Sequence, residues 1–294
     1  PSVLPVEVEQ VVVDLGEKES KWSIECVFSG VDVVVHAAAR VHKMEDWSAN
    51  TLAEFRKFNR DATLTLATLA ADAGVKRFVF LSSIKVNGEE TFPRMYPSIF
   101  KPDDEFIPTD PYGLSKYEAE QGLLALAKNT GMEVVIIRPP LVYGPGVKAN
   151  FASMINWLRS GVPLPLGAIN NKRSFVALDN LVSFIALCAD RTESPKAVNQ
   201  VFLISDCEDV STTQLLRKLS IALGKEPWLL PVPVVLMNSL AKLIGKGDVA
   251  NRLFGSLQVD CSKSRDLLSW KPVLTMDEQF KKTVAVYLKN EKTL

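Results

Sequence analysis

The sequence predicts a doubly wound α/β fold, a parallel sheet covered by helices on both faces, with a smaller and mostly helical C-terminal part. Two observations predict it. Apolar runs rich in Val, Ile and Phe recur as "VVVDL" (11–15), "VDVVVHAAA" (31–39), "RFVFLSS" (77–83), "MEVVIIRP" (132–139) and "NQVFLIS" (199–205). Such near-continuous runs suit parallel strands buried on both faces. Helical patterns lie between them, and strand alternating with helix is the signature of this architecture.

The elements follow in order. The stretch 48–74 reads as a long helix that stops at Gly74, since glycine readily takes the left-handed conformation that ends helices. A second helix opens at "DPYGLSK" (110–116). Asp110 is a good N-cap, and Pro111 suits the first helical position, where no amide donor is needed. The run that follows is amphipathic for about four turns. Tyr112 and Lys116 then lie one turn apart on one face, near the positive end of the helix dipole. Beyond residue 145 the alternation loosens. Gly144, Pro145 and Gly146 mark one loop, Pro163 and Pro165 another, and "STTQLLRKLSIALGK" is the clearest later helix.

Composition excludes several classes. The 294 residues are 47% hydrophobic, and 34 basic side chains balance 34 acidic ones. That is enough chain for a large core, and it provides no global field for nucleic acid or an anionic membrane. Two histidines, His36 and His42, make a histidine-rich metal site unexpected. Cys26, Cys188, Cys207 and Cys261 are scattered and form no Cys-x-x-Cys pair; reduced thiols in a cytoplasmic protein are expected. The opening "PSVLPVEVEQ" is not a signal peptide, and Asn238 and Lys242 interrupt the greasiest later stretch well short of a membrane span.

Taken together, "VVVHAAA", "FRKFNRDATLTLATLAADAGVKRFVFLSSIKVNGE", "DPYGLSK", "IIRPPLVYGPG", "KRSFVALDN" and "VDCSKSRDLLSWKP" resemble, in the right order, the extended short-chain dehydrogenase/reductase family in its nucleotide-sugar epimerase, dehydratase and reductase branch. The resemblance implies a Rossmann-like dinucleotide-binding domain over 1–145, completed by about 176–205, and a nucleotide-sugar domain over 146–294. It departs at the start. No G-x-x-G-x-x-G or G-x-G-x-x-G precedes "VVVDL", so the chain is expected to begin near the family's third strand, as a piece of a longer protein lacking roughly 30 residues of a βαβ unit. The lacking first strand would lie beside "VDVVVHAAA" in the sheet.

The resemblance also implies roles. Tyr112 would be the general base. A phenol at its ordinary pKa of about 10 stays protonated at neutral pH, and an ammonium about 4–6 Å away at an effective dielectric near 20 supplies roughly 3–4 kcal/mol toward ionising it. Lys116 is expected to supply that charge and to hold the nicotinamide ribose. Ser83 would hydrogen-bond the sugar hydroxyl. Asp14 and Leu15 would line the adenine site, and His36, Ala37, Ala38, Asn59 and Pro139 the rest of the NAD site, NADP remaining open. For His36 a satisfied core histidine is the better reading, and Asn59 reads equally as a helix brace. Lys85, Asn150, Arg173 and Arg252 would bind substrate, guanidinium groups matching a diphosphate by bidentate geometry.

Ile84 and Lys85 stand where 4,6-dehydratases place an acid pair, which disfavours elimination of water. Two enzymes remain: a UDP-sugar 4-epimerase with tightly held NAD, favoured here, and a 4-ketoreductase of a UDP-keto-sugar in surface-polysaccharide synthesis. Asn87 in place of a common Tyr, and Leu141 in place of a sugar-binding Asn, weaken a strict galactose reading. A non-catalytic nucleotide-binding member is a third reading. By analogy the helices at 48–74 and 111–129 would form a four-helix homodimer interface.

Overall fold

The computed structural model describes residues 8, 11, 28–41, 51–92, 98–146, 150–243, 245 and 247–291. Four parallel strands form its main sheet in the order β1 (Val33–His36), β2 (Arg77–Leu81), β3 (Glu133–Arg138) and β6 (Gln200–Leu203). These are four of the five apolar runs, each shorter by two to five residues in all; "VVVDL" lies outside the described residues, apart from Val11. The other edge of β1 meets no strand among the described residues. A separate parallel pair joins β4 (Leu141–Tyr143) to β5 (Phe175–Ala177).

Alternation along the strands explains the two covered faces. Phe78, Phe80, Val134 and Ile136 point one way, onto Ala67, Ala70, Ala119 and Leu123. Val79, Val135 and Ile137 point the other way, onto Leu181, Phe184 and Trp270. α1 (Thr51–Phe55) packs beside the first face, which is covered by α2 (Ala62–Asp72) and α3 (Pro111–Thr130). Where α2 crosses α3, Leu64 occupies the space beside Gly122, where an added Cβ would sit 2.6 Å from it. The second face is covered by α5 (Leu178–Ala189).

α1 and α2 make the expected single long helix, with one departure: Arg56–Asp61 forms a π-helical turn between them. Such turns often mark functional positions. α3 begins as expected, Asp110 accepting from Gly113 N at 2.9 Å with Pro111 in the first turn, and ends on Gly131 at φ 73°. It runs 20 residues, one beyond the 111–129 read from the sequence.

The remaining helices are α4 (Asn150–Ser160), α6 (Thr212–Ala222), α7 (Val234–Leu243), α8 (Gly247–Phe254), α9 (Ser262–Leu268) and α10 (Met276–Glu291). Tyr143, Phe151, Phe175, Leu216 and Phe280 pack there into a second core. Isolated bridges Thr91–Ser256, Phe100–Val259 and Arg173–Leu257 tie the 256–259 stretch to segments that follow β2 and precede β5. No described helix is long and apolar enough to cross a membrane.

Candidate active site

The C-terminal ends of the parallel strands carry the site, as the architecture demands. After β2 the chain stays extended through Ser82, whose amide donates to Ile137 O at 2.8 Å. Ser83 (φ −156°, ψ 149°) then caps a 3-10 turn, Ile84–Val86, accepting from Lys85 N at 3.3 Å. The Pro139 carbonyl accepts from Ile84 N at 3.1 Å and fixes that turn against β3.

α3 delivers Tyr112 to the same place. Its phenol lies close enough to the Ser83 side chain for that hydroxyl to pull its pKa down, and its ring lies edge-on to Phe55, centroids 5.9 Å apart. Gly113 is what permits the approach: a Cβ there would collide with the Asp110 side chain and lie 2.9 Å from the Lys85 carbonyl. The sequence reading passed over Gly113; its signal was the glycine within the first turn of a strong helix start.

Lys116 is 1% exposed. Its Nζ donates to Leu81 O at 2.8 Å and stands 4.4 Å from the Phe80 ring centroid. Burial pulls its pKa down to about 8, against the opposing pull of Glu120. The expectation that Lys116 lowers the Tyr112 pKa toward neutrality does not hold in this state. Burial raises the phenol above its ordinary value, Asp110 adds to that, and only the Ser83 hydrogen bond opposes it. The physical reason is the burial of the phenol, which disfavours its anion more than the Ser83 hydroxyl favours it.

His36 is a core histidine. Its Nε2 meets the Thr63 hydroxyl at 2.9 Å, its ring stacks on Phe80, and burial with Lys116 repulsion lowers its pKa to about 4. Ala37 and Ala38 follow it, exposed at the strand end. Asn59, fully buried in the π-helical turn, accepts from Arg40 N at 2.8 Å and donates to Arg40 O at 3.1 Å. It thus clamps the segment after β1, and it also reaches Ser115 Oγ at 3.1 Å, which in turn donates to Tyr112 O. These contacts brace the helix against the segment after β1.

Lys85 is held by carboxylates, Glu89 at 2.6 Å and Asp110 at 3.4 Å. Arg173 is desolvated, which lowers its pKa, and Nη1 donates to Arg252 O at 3.0 Å and Gly255 O at 3.1 Å. Arg173 and Arg252 are thereby neighbours, the latter exposed. Asn150 opens α4, and its side chain lies outside the described residues, as do Asp14 and Leu15 altogether. Asn87 is buried, donating to Lys101 O at 2.7 Å and accepting from Arg138 at 3.0 Å. Arg138 also grips the buried carboxylate of Glu120 at 2.5 Å. Neither Asn87 nor its network was expected to organise the site; a polar residue in an apolar stretch was the available signal.

The strand ends suit a dinucleotide. Small exposed alanines follow β1, and the Ser82 hydroxyl is buried at the end of β2 with no hydrogen-bond partner. A parallel α/β sheet with Ser, Tyr and Lys gathered at its carboxyl edge defines a class of nicotinamide-dependent enzymes acting on alcohols and ketones. The profile of the NAD-dependent epimerase/dehydratase family matches residues 5–201, and the chain belongs to that family.

Relatives agree. A UDP-glucose 4-epimerase of Vibrio cholerae is 50% identical over 276 residues, 94% of this chain and 82% of that protein. An N-acetyl-alpha-D-glucosaminyl-diphospho-ditrans,octacis-undecaprenol 4-epimerase of Escherichia coli O157:H7 is 26% identical, over 80% of this chain and 70% of its own. Among solved structures, the UDP-glucose 4-epimerase of Thermotoga maritima with UDP-glucose superposes with TM-score 0.69 at 25% identity, covering 91% of this chain and 81% of that one. RMD of Pseudomonas aeruginosa with NADPH gives TM-score 0.73 at 19% identity, over 98% and 90% of the two chains, a likeness of fold alone.

Proposed function

We propose that this protein is a UDP-sugar 4-epimerase, interconverting UDP-hexoses or UDP-N-acetylhexosamines that differ at C4. The observation that carries the reading is the meeting of Ser83, Tyr112 and buried Lys116 at the strand ends, the last two one helical turn apart; the identity with the Vibrio enzyme supports it. Tyr112 takes the C4 hydroxyl proton at its phenolic oxygen and returns it after the keto sugar has turned over. Ser83 Oγ holds the same sugar oxygen and stabilises it as hydroxyl or carbonyl. Bound NAD supplies a carbon that accepts hydride and gives it back.

Lys116 has three ammonium protons, one of them used on Leu81 O, and the others serve the cofactor ribose. The backbone at Ala37, Ala38 and Pro139 and the Ser82 hydroxyl line the cofactor's path, with Asp14 and Leu15 toward the adenine. Arg173 and Arg252, with Asn150 and Lys85, bind the substrate diphosphate and sugar. Residues 1–145, with about 176–205, hold the dinucleotide, and 146–294 the nucleotide sugar. The enzyme works in the cytoplasm as a homodimer packed through α1, α2 and α3, and a light-scattering mass of one chain would count against that assembly.

The test is incubation with UDP-N-acetylglucosamine and no added cofactor, products separated by chromatography. A C4 epimer should form, and Tyr112→Phe should lower the rate by at least ~100-fold with the fold intact. Conversion only of a 4-keto sugar, and only with NADPH added, would replace the epimerase by a ketoreductase.

A further inference from the structure

Away from the strand-end chemistry, two cysteines meet across the fold. Cys207 follows β6 and lies in the left-handed region at φ 57°, while Cys261 stands immediately before α9. They are 54 residues apart in sequence, yet their Sγ atoms are 2.7 Å apart. That is less than an ångström beyond the length of an S–S bond, about 2.0 Å. Cys207 is exposed and Cys261 partly so, which leaves the pair open to a small reagent. Cys188, by contrast, is buried, and burial pushes its thiol up to about 12.

We propose that Cys207 and Cys261 are a reversible thiol–disulfide modification site whose reagent is a low-molecular-weight disulfide. The arrangement assigns each sulfur a part. The two sulfurs share a hydrogen bond in which either can be the donor, and Cys207 Sγ also donates to Ser205 O at 3.8 Å; with the Cys207 proton engaged on that carbonyl, Cys261 is the sulfur that attacks first as thiolate. In the first step the Cys261 thiolate forms a bond to one sulfur of the reagent, R–S–S–R, and R–S⁻ leaves. In the second, Cys207 loses its proton to water and its thiolate attacks the Cys261 sulfur, expelling the second R–S⁻. Two protein thiols are oxidised to one disulfide, one reagent disulfide is reduced to two R–SH, and the two protons released are taken up by the leaving thiolates. Hydrogen bonding to Cys207 and Ser205 lowers the Cys261 pKa to about 6, in keeping with its part as nucleophile.

The bond joins elements that matter to the substrate side. Asp206, beside Cys207, accepts from Tyr143, Ala177 N and Asn180 and so anchors β4 and β5. Asp260, beside Cys261, donates its amide to Phe100 O at 2.8 Å, at the end of the stretch whose Leu257 bridges to Arg173. Oxidation therefore staples the Arg173-bearing layer to the end of the main sheet, and it leaves Ser83, Tyr112 and Lys116 untouched.

The experiment titrates the full chain with oxidised glutathione, blocks free thiols, digests it without reductant and identifies the cross-linked peptides. A Cys207–Cys261 peptide should dominate, and dithiothreitol should reverse it. Melting measured alongside should rise by roughly 5–10 °C on oxidation, because the cross-link closes a long loop in the unfolded chain; Cys207→Ser and Cys261→Ser should abolish that rise. Persistent glutathione adducts on either cysteine without the cross-link, or both thiols remaining free, would overturn the proposal. Both readouts use the unmutated protein, so failure of a variant to fold leaves the test standing, and neither readout depends on which sugar the enzyme takes.

Discussion

Lowering the pH from about 7.5 to about 4.5 should destabilise this protein through one buried ring. His36 is 4% exposed, and its pKa falls from 6.5 to about 4, first by burial and then by repulsion from Lys116. Its folded value is depressed, so between those two pH values the unfolded chain binds more protons than the folded one. The stabilisation by neutral His36 is complete above 6.5, is lost as pH falls below it, and levels off under about 4 once the folded ring also protonates. At about 1.4 kcal/mol per pKa unit, the loss reaches roughly 2.5 kcal/mol at about pH 4.5. The assay is urea unfolding across this range for the native sequence and for His36→Gln, whose amide nitrogen can take the place of Nε2 toward Thr63 without titrating. Glu118 and Glu133, held below the usual carboxylate range by arginine hydrogen bonds, lose their contribution only below about 4.5 and do so in both proteins. The difference between the two profiles isolates the imidazole, and parallel profiles would refute the reasoning.

Other perturbations test the packing around the site. Gly113→Ala forces α3 off the Lys85 carbonyl and separates Tyr112 from Ser83, so kcat should fall about 10- to 100-fold in the chromatographic assay while melting changes little. Glu120→Ala leaves the Arg138 guanidinium buried without its carboxylate and should cost about 3–5 kcal/mol in urea unfolding. Arg173→Lys keeps donors for the Arg252 and Gly255 carbonyls, which Nη1 alone meets, but loses the planar fork suited to a diphosphate, and should raise KM for the UDP-sugar roughly 10-fold with kcat nearly unchanged.

Strand runs such as 77–83 and 132–139 were legible because strands buried on both faces write themselves as unbroken Val, Ile and Phe. The start of α3 was legible because its cap is local, an Asp followed by Pro. What could not be read depends on distant partners. The π-helical turn at Arg56–Asp61 places Asn59 against the Arg40 peptide, a contact that no helical period encodes. β4 and β5 are three residues each and too short to carry a pattern. Cys207 and Cys261 gave no spacing signal, since only the fold brings them together. For Lys116 the spacing from Tyr112 was correct, whereas the direction of its ammonium is set by Leu81 and Phe80.

That direction bears on how one phenol can serve both halves of an epimerisation. Burial favours the neutral form of Tyr112 and also the neutral form of Lys116, so the resting site holds the phenol protonated and the amine only weakly basic. Ionising the phenol requires a positive charge near its oxygen, and an ammonium at about 4–6 Å provides roughly 3–4 kcal/mol, or two to three pKa units. The ammonium is a compact charge whose pull on the phenol depends on distance, and its hydrogen bond to the Leu81 carbonyl holds it in place. A phenol whose pKa lies near the working pH gives up and regains its proton with similar ease, which suits a reaction that must run the same proton transfer in both directions.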